Sequence, residues 1–563
     1  NKMRLSGAEI IIKQLERCGI DTISGIPGGS NLPMYDALYE SSIKNIVSRH
    51  EQGAAFIAQG MARSTGKAAV CFATSGPGAT NLITGIADAM ADSTPIIAIT
   101  GQVPTSLIGT SAFQEVDFIA MTKPISKKCY AIRTAEELIT AIPEAIKIAE
   151  TGRPGPVIID IPKDIQNQII EINEWPQFND NSMQLVSEET AAKLYIAAQE
   201  INNSERPIMF IGGGAIHAQA SIPIIDLAEK SNIPVINSLM GIGSIPTNHE
   251  LSLGMVGMHG KKSTNHIMHE SDTIIALGVR FGDRSTGRIE SFCPNAKIIH
   301  IDIDANEINK IKQAYIGIRS DLKAALSYIL PEIKNNDRKQ WLSQVSGIKT
   351  RYDFDCSDQS GPAMQIFDAI NNCIDENTII TTDVGQHQMW AAQYGKYLKP
   401  RSFLTSGGIG TMGFGLPAAI GAALANPDKK IICISGDGSI QMNIQELATM
   451  AEHNLNISII ILNNQQYGMV KQQQELFLNG RYSASRFSSS PDFNLIAKGY
   501  GIKAIDSSEL DNIEDAIGNA INHIGPTVMD IPFDDNENVF PMVPPNAANT
   551  DPICGEGKIK EAS

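Results

Sequence analysis

The sequence lacks any apolar run of the roughly 20 residues that a membrane-spanning helix needs, and its apolar stretches, such as residues 457–462, have the length of strands. Basic residues are also scarce, because 45 Lys and Arg stand against 61 Asp and Glu, for a formal charge of −16. Nucleic-acid binding depends on Lys and Arg that displace counterions, and no basic stripe is present. We therefore expect neither a membrane nor a nucleic acid among the partners.

Cysteines are few and unpaired in sequence: the eight of them form no CxxC pair. Cys71 and Cys433 lie inside apolar, strand-like runs, so we expect them to be buried free thiols of a reducing compartment. We also expect no signal or transit peptide ahead of the helical pattern that begins near Met3. The predicted localisation is cytoplasmic, and it rests mainly on cysteine use.

Apolar strands alternate with amphipathic helices along most of the 563 residues, which is the pattern of parallel βαβ units. A chain of this length exceeds one hydrophobic core, since domains typically have roughly 100–200 residues. We predict an α/β fold with three doubly wound parallel-sheet domains, at 1–170, 186–345 and 363–540, joined by polar linkers. Residues 541–563 are proline-rich and polar, which suggests a loose or lid-like tail.

Two polar motifs end neighbouring predicted strands in the third domain. Gly436, Asp437 and Gly438 follow one strand, and Asn464 follows the next. The carboxyl ends of such strands meet at the crevice where doubly wound sheets bind ligands, and the glycines would allow close backbone approach. A carboxylate, an amide oxygen and a nearby carbonyl leave octahedral Mg²⁺ with open positions, which suits a metal shared with a diphosphate. Either motif alone more often marks an ordinary strand end, but the pair favours a metal site.

This pair of motifs resembles the magnesium and diphosphate motif of thiamine-diphosphate enzymes. The segment "RHEQGAAFIAQGMAR" then supplies Glu51, at the start of a helix with apolar residues at 54, 57, 58, 61 and 62, and it resembles the catalytic glutamate of those enzymes. A carboxyl group in an apolar pocket favours its neutral form, so it could share a proton with N1′ of the cofactor. Alone, a glutamate at a helix start more often serves the helix dipole.

The resemblance extends over nearly the whole chain and narrows to the acetohydroxyacid synthase (acetolactate synthase) family, specifically its large catalytic subunit. It is carried by "GIPGGSNLPMYDAL", "SGPGATNLITGIADA", "GTSAFQEVD", "GRPGPVIIDIPKD", "LGMVGMHG", "TSGGIGTMGFGLPAAIGAA" and "FPMVPPNAAN". It implies a pyrimidine-binding, a central FAD-binding and a diphosphate-binding domain. The implied reaction decarboxylates pyruvate and adds the hydroxyethyl unit to a second 2-oxoacid, pyruvate or 2-oxobutanoate, as the first common step of branched-chain amino-acid biosynthesis.

The family also implies a set of site residues. At the reacting centre it implies Glu51, Gly29, Gln114 and Arg284, of which Arg284 would meet the carboxylate of the second oxoacid. For Mg²⁺ it implies Asp437, Asn464 and the carbonyl of Gln466. For thiamine diphosphate it implies Gln386, His387, Gly410, Met412, Gly436, Gly438 and Met469. For FAD, in a structural role, it implies Arg153, Gly212, Gly213, Gly214, His259, Arg280, Asp302 and Asp321.

Partners and rival functions follow from the same resemblance. Glu51 and the metal motif lie in different domains, and the family builds each site across two chains, so we expect a homodimer or homotetramer, together with a small regulatory subunit. An FAD-dependent pyruvate oxidase shares the cofactors but passes electrons to the flavin. A noncatalytic regulator would be expected to lack Glu51 or the metal motif, and both are present.

Other patterns in the sequence point to no further cofactor. Gly408, Gly410 and Gly413 have GxGxxG spacing, but Asp428 downstream lies in a predicted turn and not at a strand end, which weakens an NAD site. The histidines at 259, 266 and 269 lack the spacing of a zinc site.

At one position this sequence has a residue that differs from the one in many family members. Gln473 stands where they carry a tryptophan that favours 2-oxobutanoate, so the acceptor preference stays open.

Overall fold

The computed structural model describes residues 2–177, 186–353, 361–509, 512–532 and 536–555. Within these ranges the chain forms three six-stranded parallel sheets covered by helices, which confirms the predicted fold class. The sheets lie inside the three predicted domains, whose limits stay predictions. Parts of both expected linkers (178–185 and 354–360) and the last tail residues (556–563) lie outside the described residues. In the described part of the chain, no helix has the length and apolarity to span a bilayer.

The first domain begins with a short strand and ends with its antiparallel partner, which together form a separate two-stranded sheet. The strands are β1 Met3–Ser6, β2 Thr22–Gly25, β3 Lys44–Val47, β4 Ala69–Ala73, β5 Ile96–Gln102, β6 Lys128–Ala131, β7 Val157–Pro162 and β8 Ile169–Ile172. The helices are α1 Gly7–Arg17, α2 Leu32–Leu38, α3 Glu51–Thr65, α4 Pro77–Thr80, α5 Ile83–Ala91, α6 Phe118–Thr122, α7 Ala135–Glu150 and α8 Lys163–Asn167.

The central domain follows in the same alternating manner. Its strands are β9 Pro207–Ile211, β10 Val235–Asn237, β11 Ser252–Met255, β12 Thr273–Leu277, β13 Lys297–Asp302 and β14 Ile316–Arg319. Its helices are α9 Glu188–Asn203, α10 Gly213–His217, α11 Ser221–Ser231, α12 Lys262–Glu270, α13 Asp283–Thr286, α14 Leu322–Ile329 and α15 Lys339–Tyr352.

The third domain completes the set. Its strands are β15 Thr378–Thr382, β16 Phe403–Leu404, β17 Lys430–Gly436, β18 Ile457–Asn463, β19 Lys503–Asp506 and β20 Thr527–Pro532. Its helices are α16 Pro362–Asn372, α17 Gln386–Tyr394, α18 Gly415–Ala425, α19 Asp437–Ile440, α20 Leu447–Glu452, α21 Gly468–Phe477, α22 Phe493–Gly499 and α23 Ile513–Asn522. A 3₁₀ segment, Gln441–Glu446, joins α19 to α20.

The first and third sheets share one topology. Their strand orders are β3-β2-β4-β5-β7-β6 and β16-β15-β17-β18-β20-β19, which become the same 2-1-3-4-6-5 order when each sheet is numbered from its own first strand. The central sheet has the order β11-β10-β9-β12-β13-β14, which is the 3-2-1-4-5-6 order of dinucleotide-binding folds. The first and third domains are therefore built alike, and the central one differs.

Strands buried on both faces explain the continuous apolar runs of the sequence. Every residue of β4, β12 and β18 is buried, as expected for parallel sheets covered by helices on both sides. Cys71 in β4 and Cys433 in β17 are buried free thiols, as predicted. Cys554, in contrast, is disulfide-bonded, so cysteine use alone does not support the cytoplasmic expectation.

Helices α3 and α18 join the first and third domains by direct backbone contact. A Cβ added to Gly60 would lie 2.1 Å from the carbonyl oxygen of Ala418, and one added to Gly421 would lie 2.0 Å from that of Ile57. Residues 54, 57, 58, 61 and 62, the apolar face predicted for α3, are all buried. Only glycine permits this approach, which fixes how the two domains meet.

The proline-rich tail is bound to the central domain over its described part. Val543 N donates to the carbonyl of Met258 at 2.8 Å, and Arg288 N donates to that of Ala547 at 2.9 Å. A lid function for this segment stays a prediction.

Replacing Gly60 with Ala tests the contact between α3 and α18. Because the added methyl group would clash with the Ala418 carbonyl oxygen, we expect a loss of about 1–3 kcal/mol and a lower thermal midpoint of the protein. Gly518→Ala is the matched control, since nothing lies within 4 Å of the added Cβ on α23. That change should be neutral or stabilising. An unchanged midpoint for Gly60→Ala would contradict the proposed contact.

Candidate active site

One large cavity, of about 2390 Å³, lies where the three domains meet. One end is formed by the carboxyl ends of the third sheet and the other by the turns after β9 and β12, where doubly wound sheets bind ligands. Most of the predicted residues line it: Arg153, Gly212, Gly213, Gly214, His259, Arg280, Arg284, Asp302, Asp321, Gln386, His387, Gly410, Met412, Gly436, Asp437, Gly438, Asn464, Gln466 and Met469.

Three predicted residues of the first domain do not line this cavity. Glu51 begins α3 and is half-buried, and its Oε1 accepts from Asn81 Nδ2 at 3.1 Å. Gly29 is exposed, and Gln114 has a left-handed backbone with φ +59°. Within one chain these three residues therefore do not line the cavity that holds the metal motif.

The metal motif brings three oxygen atoms together. Asp437 is the first residue of α19, and Asn464 follows β18 directly. Asn464 Oδ1 lies 3.3 Å from Asp437 Oδ1 and 3.3 Å from the carbonyl oxygen of Gln466. Asn464 is held in this orientation because its Nδ2 donates to Gln386 Oε1 at 3.1 Å. Three acceptor oxygens thus face one another, and Asp437 Oδ1 also accepts from the backbone N–H of Asn464 at 3.3 Å.

This donor set fits Mg²⁺. With Mg–O distances of 2.0–2.1 Å, neighbouring ligands of an octahedral site lie about 3 Å apart, close to the separations in the structure. Asp437 is buried, and its Oδ2 has no hydrogen-bond partner among the described residues. Burial raises the pKa of Asp437 to about 6. A cation would satisfy the orphaned oxygen and offset the desolvation of this carboxylate.

Gln386 and His387 stand at the first turn of α17, beside the metal motif. His387 is buried, and burial lowers its pKa to about 3, so the ring is neutral at physiological pH. Its Nε2 lacks a hydrogen-bond partner within the described ranges. Gly436 leaves room for the ring, because an added Cβ would lie 2.9 Å from His387 Cε1.

Residues 405–414, between β16 and α18, form a loop that we call the glycine loop; it carries Gly410 and Met412. Gly410 and Gly413 have φ of +62° and +97°, which favours glycine. Gly413 N donates to Asp383 Oδ1 at 2.7 Å, and Ser435 Oγ donates to Asp383 Oδ2 at 3.2 Å. Asp383 is fully buried, and burial raises its pKa to about 6. This carboxylate ties the end of the loop to the sheet.

A buried ionic network of the first domain holds the other end of the glycine loop. Arg63 Nη2 lies 3.0 Å from Asp88 Oδ1 and 2.8 Å from Asp92 Oδ2. Asp92 Oδ1 in turn accepts from Gly408 N at 2.7 Å, and Asp88 Oδ2 accepts from Thr411 Oγ1 at 2.8 Å. Since each charged group is paired and hydrogen-bonded, its burial is tolerated.

The central end of the cavity starts from a glycine cradle after β9. Gly212 lies against the turn that follows β12, so that an added Cβ would be 2.2 Å from the carbonyl oxygen of Gly278. Gly214 N donates to the same oxygen at 3.2 Å. The strand order of the central sheet reverses at this point, where doubly wound sheets bind dinucleotides. Because the glycines carry no side chains, the diphosphate of a dinucleotide can come close to the backbone here.

Charged residues line the same cavity as these glycines. Arg153 Nη1 lies 3.1 Å from Glu307 Oε1, and Arg280 is exposed and donates to the carbonyl of Ala91 at 3.1 Å. Asp302 ends β13 and is buried, whereas Asp321 caps α14 by accepting from Ala324 N at 2.8 Å.

The three histidines of the central domain have separate environments. His259 is buried, and its Nδ1 donates to the carbonyl of Pro541 at 3.0 Å, which leaves Nε2 bare and without a partner in the described chain. Burial lowers its pKa to about 4. His266 stacks on Tyr352 with ring centroids 4.0 Å apart, and His269 is exposed.

The cavity also has two exposed residues that the resemblance assigns to recognition of the second oxoacid. Arg284 lines it, is exposed and pairs with Asp283 at 3.0 Å. Gln473 also lines it and is exposed on α21. Both side chains can therefore reach a molecule in the cavity.

Family models match all three domains. The N-terminal TPP binding domain of thiamine pyrophosphate enzymes matches residues 5–121, the central domain of these enzymes matches 194–329, and their C-terminal TPP binding domain matches 383–531. The first match includes Gly29, Glu51 and Gln114, and the last includes the metal motif and the glycine loop.

Curated relatives cover nearly the entire chain. The acetolactate synthase isozyme 1 large subunit of Escherichia coli is 49% identical over 98% of this chain and 98% of its own length. A probable acetolactate synthase large subunit of Methanocaldococcus jannaschii is 47% identical, with 99% and 97% covered, and the chloroplastic acetolactate synthase 2 of Nicotiana tabacum is 41% identical, with 98% and 86% covered. The chain belongs to the acetolactate synthase family. The family expected from the motifs is thereby confirmed.

In this family member, sequence reasoning missed the residues that hold the site in place. Asp383 follows β15 much as Asp437 follows β17, so the strand-end argument could have found it. Arg63, Asp88 and Asp92 gave no comparable signal, because their partners in the glycine loop lie more than 300 residues away.

Changing Asp437 to Asn tests the metal site. Because the only carboxylate among the three converging oxygens would lose its charge, we expect Mg²⁺ affinity in the presence of thiamine diphosphate to fall by at least about 10–100-fold. Calorimetric titration with Mg²⁺ measures this. Asp530→Asn is the control: it removes a nearby half-buried carboxylate that binds Asn463, and affinity should change little. Equal affinity of Asp437→Asn and wild type would exclude this metal site.

Proposed function

We propose that the chain is the catalytic large subunit of an acetolactate synthase that uses thiamine diphosphate, Mg²⁺ and FAD. It decarboxylates pyruvate and joins the two-carbon unit to pyruvate or 2-oxobutanoate. One carbon–carbon bond breaks as CO₂ leaves, and one forms at the acceptor's carbonyl carbon, whose oxygen takes up a proton, so no net oxidation occurs. The convergence of Asp437, Asn464 and Gln466 oxygens beside the glycine loop carries this proposal.

The third domain would hold the cofactor's charged end. Asp437, Asn464 and the Gln466 carbonyl would bind Mg²⁺, which leaves open positions for diphosphate oxygens. Gln386 and neutral His387 would contact the diphosphate. Gly436 and Gly438 keep the backbone close.

Residues of the glycine loop and α21 would hold the cofactor's rings. The Gly410 carbonyl would accept from the 4′-amino group, while Met412 and Met469 would pack against the rings. When bound, thiamine diphosphate supplies a carbon nucleophile for attack on the oxoacid carbonyl. The chain's task is then to hold the bent shape in which the amino group lies near that carbon.

Glu51 would complete the site from the first domain of a second copy. It would share a proton with N1′ of the aminopyrimidine. Glu51 does not line the cavity that holds the metal motif in one chain, which supports a homodimer or homotetramer as the active form. Gly29 and Gln114 would come from the same copy and face the reacting centre, with the Gly29 N–H available to a developing oxyanion.

FAD would occupy the central end of the cavity in a structural role. Gly212, Gly213 and Gly214 would admit its diphosphate, and Arg153 and Arg280 would supply positive charge. Asp302 and Asp321 would contact the nucleotide portion, and the bare Nε2 of His259 could accept a hydrogen bond from it.

Arg284 would pair with the carboxylate of the second oxoacid. A small regulatory subunit is proposed because the relatives are named as large subunits. A cytoplasmic location is likewise a proposal.

An anaerobic assay with pyruvate, thiamine diphosphate, Mg²⁺ and FAD tests the function. We expect acetolactate to form while the flavin spectrum stays oxidised, because the reaction has no net redox change. Stoichiometric bleaching of the flavin without acetolactate would instead support the pyruvate oxidase. Glu51→Gln should lower the rate by roughly 10²–10⁴-fold, since it cannot share the proton with N1′ in the same way.

Gln473→Trp tests acceptor selection. An indole at this position would add an apolar wall against the acceptor's alkyl group, and one methylene is worth about 1–3 kcal/mol, or about 10–200-fold. We expect the ratio of 2-acetohydroxybutanoate to acetolactate to rise by at least about tenfold when both acceptors compete. Gln473→Ala, which adds no wall, should leave the ratio near that of wild type. An unchanged ratio in Gln473→Trp would place Gln473 away from the acceptor.

A further inference from the structure

Glu446 of the third domain lies against the start of α3 in the first domain. Its side chain is fully buried, and Oε1 accepts from the backbone N–H of Arg49 at 2.8 Å and of His50 at 3.1 Å. These two donors directly precede Glu51, the first residue of the helix. N–H groups around a helix start lack partners within the helix, so Glu446 anchors this turn from another domain.

A second contact holds the residue that follows Glu51. Asn443 Nδ2 donates to Gln52 Oε1 at 3.0 Å and to the carbonyl of Gly413 at 2.8 Å. Asn443 and Glu446 belong to the same 3₁₀ segment, which continues the helix that begins at Asp437. The residues on both sides of Glu51 are thus bound to one short element of the third domain.

The Glu446 carboxylate has little freedom to move. Its Oε2 accepts from Thr449 Oγ1 at 2.8 Å. On the other side it packs against Gly53, where an added Cβ would lie 2.6 Å from Oε1. The position of this carboxylate therefore fixes the first turn of α3.

We propose that Glu446 is a positioning residue for Glu51. It holds the backbone at Arg49 and His50 so that α3 presents the Glu51 carboxylate at the place where it must share a proton with the aminopyrimidine. This inference rests on the proposed role of Glu51. A proton relay of this kind depends on sub-ångström placement, so losing the anchor should slow proton transfer more than substrate binding.

Two measurements on the full-length protein test this role. The first is hydrogen–deuterium exchange at C2 of bound thiamine diphosphate, read by NMR after acid quench. The second is amide hydrogen exchange of Arg49 and His50 in protein without cofactor. For Glu446→Ala we expect about 10–100-fold slower C2 exchange, a KM for pyruvate within about threefold of wild type, and loss of protection at both amides.

Matched variants separate placement from charge. Glu446→Gln keeps an oxygen acceptor at the same reach, so it should restore amide protection and most of the C2 exchange rate. Glu452→Gln removes the surface carboxylate that pairs with the Arg49 side chain at 2.7 Å, touches neither backbone amide, and should behave as wild type. If Glu446→Ala does not fold, Glu446→Asp retracts the carboxylate by one methylene and should show the same two losses.

Wild-type C2 exchange in folded Glu446→Ala or Glu446→Asp would overturn the proposal. So would equal slowing in Glu446→Ala and Glu446→Gln with both amides still protected, because that would assign the effect to charge. Glu51→Gln is measured alongside. If it leaves C2 exchange fast, the role of Glu51 itself fails; if it slows exchange while the Glu446 variants do not, only the positioning role fails.

Discussion

The contact between α3 and α18 is the constraint on which the rest of the site depends. Both helices begin at segments that we propose for the active site: α3 at Glu51, and α18 directly after the glycine loop. Because Gly60 and Gly421 let the two backbones touch, the separation of these helices is set by van der Waals contact between backbone atoms and not by adjustable side chains. Any change in this separation would move the start of both helices.

Close backbone packing fixes the distance between the two helices, but it does not fix their rotation or their sliding along each other. Buried polar contacts fix these two. Glu446 holds the start of α3, Asp383 holds the end of the glycine loop, and the pair of Asp88 and Asp92 with Arg63 holds its beginning. Each of these groups is costly to bury alone, so each specifies one arrangement. Packing thus sets the spacing of the domains, and hydrogen bonds set their alignment.

The sequence was sufficient to predict the fold and the proximity of Asp437 and Asn464, because both are encoded locally. Apolar runs such as β18 and the helical period of α3 report burial directly, and Asp437 and Asn464 could be placed near each other from the rule that strand ends converge. Glu446 and Asp92 could not be assigned in this way. Their partners lie 396 and 316 residues away along the chain, and no local period encodes a contact of that separation.

The contacts that connect the two ends of the cavity also join residues far apart in the sequence, so they could not be predicted either. Arg280 donates to the carbonyl of Ala91, and Arg153 Nε donates to Ser93 Oγ at 2.9 Å. Asp92, which lies between Ala91 and Ser93 in the sequence, accepts from Gly408 N in the glycine loop. The two arginines proposed for FAD therefore flank the residue that holds the loop proposed for thiamine diphosphate. A flavin bound there in a structural role, without exchanging electrons, would still affect the site. By fixing the two arginines it would stabilise Asp92 and, through Asp92, the glycine loop.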